Sequence, residues 1–178
     1  SQDRWEDLVA RGDYERLAED VKRMYTKSNL LASFELIKLN DALKDPDSRV
    51  RFCNCIYALL YGSENIRDRF ETAARVLAKL EQDKWPIITY PLFMRYPKEY
   101  IFLKPQVTKE AAYNRRFDIQ YSSQLNWTTY QKVLELGRDL WRRLSESNNP
   151  HLHPRDMIDV QTFMWCTYGK GWTSEEIR

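Results

Sequence analysis

The sequence lacks the residues and runs that define several classes of protein. Only 5 of its 178 residues are glycine and only 3 are cysteine. No run of about 18 apolar residues occurs, so hydropathy predicts no membrane-spanning helix and no membrane contact. The N-terminal stretch "SQDRWEDLVARGD" is charged and has no apolar core of the kind found in signal peptides. Because the chain also lacks an initiator Met, we expect it to be part of a larger protein, which we take to be of bacterial type. The cysteine usage described next favours a cytoplasmic location.

The cysteines and histidines form no recognisable framework. Cys53 and Cys55 lie two residues apart, Cys166 stands alone, and an odd count does not build a disulfide scaffold. His151 and His153 are the only histidines, and their spacing from the cysteines matches no standard zinc site. The sequence therefore predicts reduced thiols, no metal and no cofactor.

Catalytic motifs are also missing. The chain contains no G-x-S-x-G, no P-loop and no G-x-G-x-x-G. Asp156 and Asp159, in "HPRDMIDVQTFMWC", lie on one side of a predicted helix, where a metal-dependent hydrolase would place two carboxylates. A carboxylate at the positive end of a helix, followed by one that faces solvent or pairs with an arginine, explains the same pattern. We favour this second interpretation and predict no catalytic residue.

Helix-forming residues are abundant. Scarce glycine, together with many Leu, Arg, Glu and Lys, favours helices. Apolar residues recur at helical spacing, most clearly from Ile66 to Leu80. The apolar residues around Phe34 and Ile37 surround the axis of their helix, which predicts a central, buried helix. The fold class is therefore mainly α, as a single helical domain of about seven helices over residues 1–178.

Three parts are expected within this domain. Residues 1–83 form a helical half, residues 84–125 a segment rich in proline and aromatic residues with one short helix, and residues 126–178 two C-terminal helices. Four prolines, Pro91 among them, should break any long helix in the middle part, although a short helix entering at Trp85 is an alternative. The runs "YIFLK" and "FDIQYSSQ" predict a small two-stranded or extended insertion near residues 100–121.

Local signals also predict where helices begin in the second half. Thr108, Asn126 and Pro154 are expected at or next to helix starts. Gly137 lies on the apolar stripe of the helix that follows Asn126, which suggests that another backbone segment passes close to it.

The net charge of +2 is distributed unevenly. Residues 84–143 contain 11 basic and 5 acidic residues, a net charge of +6, whereas each flank has a net charge of −2. The same segment carries many aromatic residues. Basic residues interleaved with aromatic residues are what phosphate contact and base stacking require. A core of aromatic residues beneath solvated, locally paired charges would produce the same composition.

We predict a non-catalytic nucleic-acid-associated module that binds the phosphate backbone of DNA or RNA. The expected phosphate contacts are Lys104, Lys109, Arg115, Arg116, Arg138, Arg142 and Arg143, and the expected stacking residues are Tyr113 and Trp127. Local pairing of Arg138 and Arg142 with Glu135 and Asp139 would account for part of this set without a ligand. Two alternatives stay open: a helical protein-interaction domain with an aromatic groove around residues 85–100, and the metal-dependent hydrolase.

Overall fold

The computed structural model describes residues 1–169, and these form nine α-helices, one short 3-10 helix and no β-strand. The α-helices are α1 Gln2–Ala10, α2 Tyr14–Tyr25, α3 Ser33–Ala42, α4 Pro46–Tyr61, α5 Ile66–Lys79, α6 Trp85–Arg95, α7 Pro105–Asn114, α8 Trp127–Ser145 and α9 Met157–Tyr168; the 3-10 helix is Pro150–Leu152. The mainly α prediction is confirmed, but the predicted number of helices is too low.

Contacts between Cα atoms divide the chain into two compact units, Ser1–Pro91 and Leu92–Arg178. The organisation as a single domain over residues 1–178 stays a prediction. In the part of the chain that the structure describes, no helix is both long and apolar enough to cross a membrane.

In the first unit, α4 packs against α2 and α5, and α1 packs against α2. Three of these helices begin at side-chain caps: Asp13, Asp45 and Asn65 each accept a hydrogen bond from the backbone N–H three residues later. Phe52 and Ile56 of α4 are almost completely buried. Apolar burial on both sides of α4 therefore makes it the central helix of this unit.

All three cysteines are free thiols. Cys53 and Cys55 lie on the buried part of α4, and burial raises the pKa of each thiol to about 12. Both thiols therefore stay protonated near neutral pH and act as small apolar core residues. Cys166, in α9, is exposed.

Helix α6 contains Pro91 in its interior. Because proline has no amide N–H, the carbonyl of Ile87, four residues earlier, loses its helical donor. The hydroxyl of Tyr25, in α2, donates a 2.7 Å hydrogen bond to this carbonyl, and both residues are buried. The short helix from Trp85 is thus confirmed, and Pro91 does not end it because the orphaned carbonyl is bonded by a side chain.

Helix α3 is not the central, buried helix that its sequence predicts. Glu35 and Leu39 are its buried residues, whereas Phe34 and Ile37 are 62% and 59% exposed. Apolar residues do surround the helix axis, but only one face of α3 is covered. The apolar side chains of the other face are therefore left in solvent.

In the second unit, α9 packs against α7 and α8. Helix α8 begins as predicted, because the Asn126 side chain accepts a 2.8 Å hydrogen bond from the N–H of Thr129. A Cβ added to Gly137 would lie 3.1 Å from Ile101 Cδ1 and 3.4 Å from Met157 Sδ. The nearest atoms to Gly137 thus belong to the side chains of Ile101 and Met157, from two other segments of the chain.

Residues 101–103 belong to no helix and to no strand. Ile101, Phe102 and Leu103 are all fully buried, whereas the residues of a strand at the surface would alternate between buried and exposed. The hydroxyl of Tyr130, in α8, donates a 3.0 Å hydrogen bond to the carbonyl of Ile101. A buried side chain thus satisfies a backbone group that a neighbouring strand would otherwise bond.

The predicted partner strand "FDIQYSSQ" does not form. Gln120 has a φ of 46°, in the left-handed region, which interrupts an extended run. Its N–H bonds Asp118 Oδ1 at 2.8 Å, and its carbonyl accepts a 2.7 Å hydrogen bond from Thr129 Oγ1. The prediction of a two-stranded insertion near residues 100–121 is therefore wrong.

Two other helix starts also differ from their predictions. Helix α7 begins at Pro105 rather than near Thr108, because proline is well suited to the first helical position. Helix α9 begins at Met157 rather than at Pro154. Its cap is Asp156, whose carboxylate accepts hydrogen bonds from two backbone N–H groups of the first turn.

Candidate nucleic-acid interface

Helix α7 presents one face to the core of the second unit and the other to solvent. Its buried residues are Val107, Thr108, Ala111 and Ala112. On the opposite face Lys109 and Tyr113 lie one helical turn apart, and Tyr113 is 81% exposed. The helix therefore holds a lysine and an aromatic ring in solvent on a rigid backbone.

The C-terminal end of α7 is a Schellman motif. The N–H of Phe117 donates to the carbonyl of Ala112 at 2.9 Å, and the N–H of Arg116 donates to the carbonyl of Tyr113 at 3.0 Å. Arg116 has a φ of 51°, in the left-handed position where glycine is the usual residue. The motif places Arg116 beside Arg115, where positive charge complements the helix dipole.

Replacing Arg116 with glycine is expected to raise the free energy of unfolding by about 1 kcal/mol, because glycine adopts a positive φ without a Cβ clash. Glu81 is a matched position, since it follows α5 in the same type of cap with a φ of 55°. Chemical denaturation of Arg116→Gly and Glu81→Gly should show a similar gain for both. A loss of stability for Arg116→Gly alone would mean that its side chain makes a stabilising contact.

Three arginines from two helical segments converge on the carboxylate of Asp139. Arg142 and Arg143 each approach it to 2.8 Å, and Arg115, at the end of α7, approaches it to 3.9 Å. Arg142 also pairs with Glu146 at 3.0 Å. Asp139 therefore connects the end of α7 to α8 through its guanidinium partners.

We call the arginines that lie at the end of α7 and along this side of α8 the arginine surface; three of them meet at Asp139. Its members are Arg115, Arg116, Arg138, Arg142 and Arg143. Arg138 is exposed and lies one turn before Arg142 on α8. Asp139 and Glu146 pair with members of this set, and Glu135 interacts with Arg138, so part of the positive charge of the five arginines is neutralised locally.

Asp139 is ionised at neutral pH and competes with any other anion for the same guanidinium groups. Its partial burial raises its pKa, but the hydrogen bonds from Arg143 and Arg142 and the charges of both outweigh burial and lower the pKa of Asp139. The buried Nε of Arg115 has no hydrogen-bond partner among residues 1–169. Because this Nε is buried, a ligand in solvent would meet Arg115 through its other guanidinium nitrogens.

The two predicted lysine contacts differ in their positions relative to the arginine surface. Lys104 is the N-cap residue of α7, about 16 Å along the helix from Arg115 at 1.5 Å per residue. The Nζ of Lys109 lies 5.0 Å from the centre of the Tyr121 ring, an arrangement typical of a cation–π contact. Glu135, which helical spacing also allows to pair with Arg138, pairs with Lys132 at 2.8 Å.

The two predicted stacking residues differ in their surroundings. Trp127 begins α8, about 22 Å along the helix from Arg142. Its ring is half-buried and packs edge-on against Tyr130 at a centroid distance of 5.9 Å. Tyr113, by contrast, is exposed within the last turn of α7, next to Arg115 and Arg116. Of the two residues, only Tyr113 is close in the chain to members of the arginine surface, two residues before Arg115 and three before Arg116.

The carboxylates of α9 are both bonded within their own helix end. Asp156 accepts a 2.8 Å hydrogen bond from the N–H of Ile158, and Asp159 pairs with Arg155 at 3.0 Å. The hydrogen bonds of Arg155 to Asp159 lower the pKa of that carboxyl. Across residues 1–169, no group of three or more His, Cys, Asp or Glu side chains could hold a metal ion. The geometry matches a helix-capping carboxylate followed by an arginine-paired one.

Spacing along the sequence predicts only some of the ion pairs that Asp139 and Glu146 make with the arginines. The pairing of Asp139 with Arg142 follows from their spacing on a helix, and so does the pairing of Arg142 with Glu146, which sequence reasoning missed. The contact between Arg115 and Asp139 joins distant parts of the chain and has no local signal.

No protein-family model, curated protein or solved structure matches this chain.

Proposed function

We propose that the protein is a non-catalytic nucleic-acid-associated module that binds the phosphate backbone of DNA or RNA through the arginine surface. The observation that carries this proposal is the convergence of Arg115, Arg142 and Arg143 on one carboxylate. Carboxylate and phosphate oxygens accept the same forked hydrogen bonds from guanidinium groups, so a surface organised around the first suits the second. A reducing, cytoplasmic setting belongs to the proposal, since the chain carries three free thiols.

Asp139 has two opposing effects in this proposal. It holds the side chains of Arg142 and Arg143 in place before a ligand arrives, which reduces the conformational entropy lost on binding. It also cancels one positive charge that would otherwise attract phosphate.

Replacing Asp139 with asparagine is expected to tighten the binding of a labelled single-stranded oligonucleotide by a factor of about five at low salt. The substitution removes the competing anion, and each additional phosphate contact contributes through counterion release. Fluorescence anisotropy titrations of both proteins measure the difference.

Asp20 provides the matched control for this substitution. It pairs with Arg4 and Arg23 in the first unit, so Asp20→Asn makes the same change of charge beside two arginines elsewhere. The affinity of Asp20→Asn should equal that of the wild type. An unchanged or weaker affinity for a folded Asp139→Asn protein would count against the arginine surface.

A protein-interaction role is the second candidate, and the exposed apolar residues of α3 favour it. Trp85, Tyr90 and Phe93, which belong to the predicted aromatic groove, are almost fully buried, whereas Phe34 and Ile37 are exposed. Association through these two side chains would be insensitive to salt, because it involves no charge. Sedimentation velocity at two salt concentrations, for the wild type and for the double variant Phe34→Ser with Ile37→Ser, tests whether copies of the chain associate there.

A further inference from the structure

We infer that the ring of Tyr113 stacks on an unpaired base, so that the ligand of the arginine surface is a single-stranded nucleic acid. This inference rests on the proposed function and adds the class of ligand to it. Three observations carry it: the exposure of the ring, its position in the same helix end as Arg115 and Arg116, and its fixed attachment to a capped helix.

The exposure of Tyr113 is unusual for this protein. At 81% it is the highest value for a large apolar side chain in residues 1–169, and the ring has no hydrogen bond or ring contact there. Tyrosine is not a favoured residue for an exposed helical position, so neither helix formation nor packing explains it. An aromatic ring in solvent presents two free faces to a ligand.

The position of the ring connects it to the arginine surface. Tyr113 lies in the last turn of α7, its carbonyl accepts the N–H of Arg116, and Arg115 follows in the same cap. Arg115 in turn reaches Asp139 and so joins the cluster on α8. A strand whose phosphates contact these arginines would pass the ring, and stacking beside phosphate contacts is the usual way that proteins hold single strands.

A duplex would not use this ring. In double-stranded DNA the faces of the bases are stacked on one another, and only their edges are accessible in the grooves. A ring on the surface of a helix could reach a base face only after that base had left its stack, which costs free energy. A single strand offers unpaired faces without that cost, so the exposed ring favours single strands over duplexes.

The test compares three labelled ligands of equal length: an oligothymidine, a strand of abasic sites and a duplex. The wild-type protein should bind the oligothymidine about tenfold more tightly than the abasic strand, because stacking on one ring is worth roughly that factor or more. Tyr113→Ala should remove this preference, and Tyr113→Phe should keep it, since phenylalanine retains the ring. Phe34→Ala is the matched control, because Phe34 is an exposed aromatic residue of the first unit.

The outcomes separate this inference from the proposed function. If Tyr113→Ala binds oligothymidine as tightly as the wild type, or if Tyr113→Phe loses as much affinity as Tyr113→Ala, the stacking inference is overturned. Binding of the abasic strand that stays sensitive to the arginines would leave the proposed function intact in that case. If the wild type binds none of the three ligands, both are overturned, and the exposed ring is then a contact for a protein partner.

Discussion

Reversing the charges of Arg142 and Arg143 together is expected to weaken the affinity for single-stranded nucleic acid about a hundredfold at low salt. Two phosphate contacts are lost, and two negative charges then face the backbone. Asp139, which both arginines contact at 2.8 Å, would keep only Arg115 as a partner, so the excess of positive charge at this surface would disappear.

The control must lower the net charge by the same amount at another place. Arg67 and Arg75 of α5 are exposed, and the side chain of Arg75 donates a hydrogen bond to Thr72 rather than to an acid. Reversal of these two charges should change the affinity by no more than about threefold, since screened charges outside the contact act only at long range. Equal losses for the two double variants would mean that net charge, and not the arginine surface, determines binding.

Replacing Tyr25 with phenylalanine is expected to lower the free energy of unfolding by about 2 kcal/mol. The loss exceeds that of an average hydrogen bond, because the carbonyl of Ile87 would be left buried without a donor. Pro91 is the reason that no backbone N–H can replace the hydroxyl of Tyr25.

A double-mutant cycle isolates this cause. Pro91→Ala supplies an N–H that can donate to Ile87, so Tyr25→Phe should cost clearly less in the Pro91→Ala background, with a coupling of about 1 kcal/mol. Tyr130→Phe serves as the control, because its hydroxyl bonds the carbonyl of Ile101, which Pro91 does not affect. Chemical denaturation of the single and double variants gives the coupling, and strictly additive effects of Tyr25→Phe and Pro91→Ala would contradict the explanation.

The features predicted correctly from the sequence are those that depend on nearby residues. The spacing of apolar residues from Ile66 to Leu80 predicted α5, and Asn126 predicted the start of α8. These signals work because helix formation and capping involve contacts within about four residues. The mainly α fold class follows from them.

The features predicted wrongly depend on the contacts that a segment makes with the rest of its folded unit. The apolar pattern of α3 shows that many of its side chains are apolar but not that only one face is covered, so Phe34 and Ile37 remain exposed. The alternation of "FDIQYSSQ" resembles that of a strand, yet the left-handed Gln120 and the hydroxyl of Thr129 direct its backbone bonds elsewhere. Such competition from side chains cannot be read from local periodicity.

The candidate site also combines features that nearby residues predict with features that only the fold determines. Composition predicts the positive charge of the middle segment. Helical spacing predicts the pairing of Arg142 with Asp139. The contact of Arg115 with the same carboxylate depends on how the end of α7 lies against α8, so the sequence does not predict it. Nor does the sequence alone reveal that Tyr113 is exposed whereas Trp127 is half-buried.

The salt dependence of binding tests most directly whether the arginine surface contacts phosphates. For single strands the slope of log affinity against log salt is about −0.7 for each phosphate neutralised. Replacing Arg142 and Arg143 with glutamine should therefore make the slope shallower by about 1.4, whereas the same change at Arg67 and Arg75 should leave it unaltered. A slope that is identical in the wild type and the Arg142→Gln, Arg143→Gln variant would contradict the proposal.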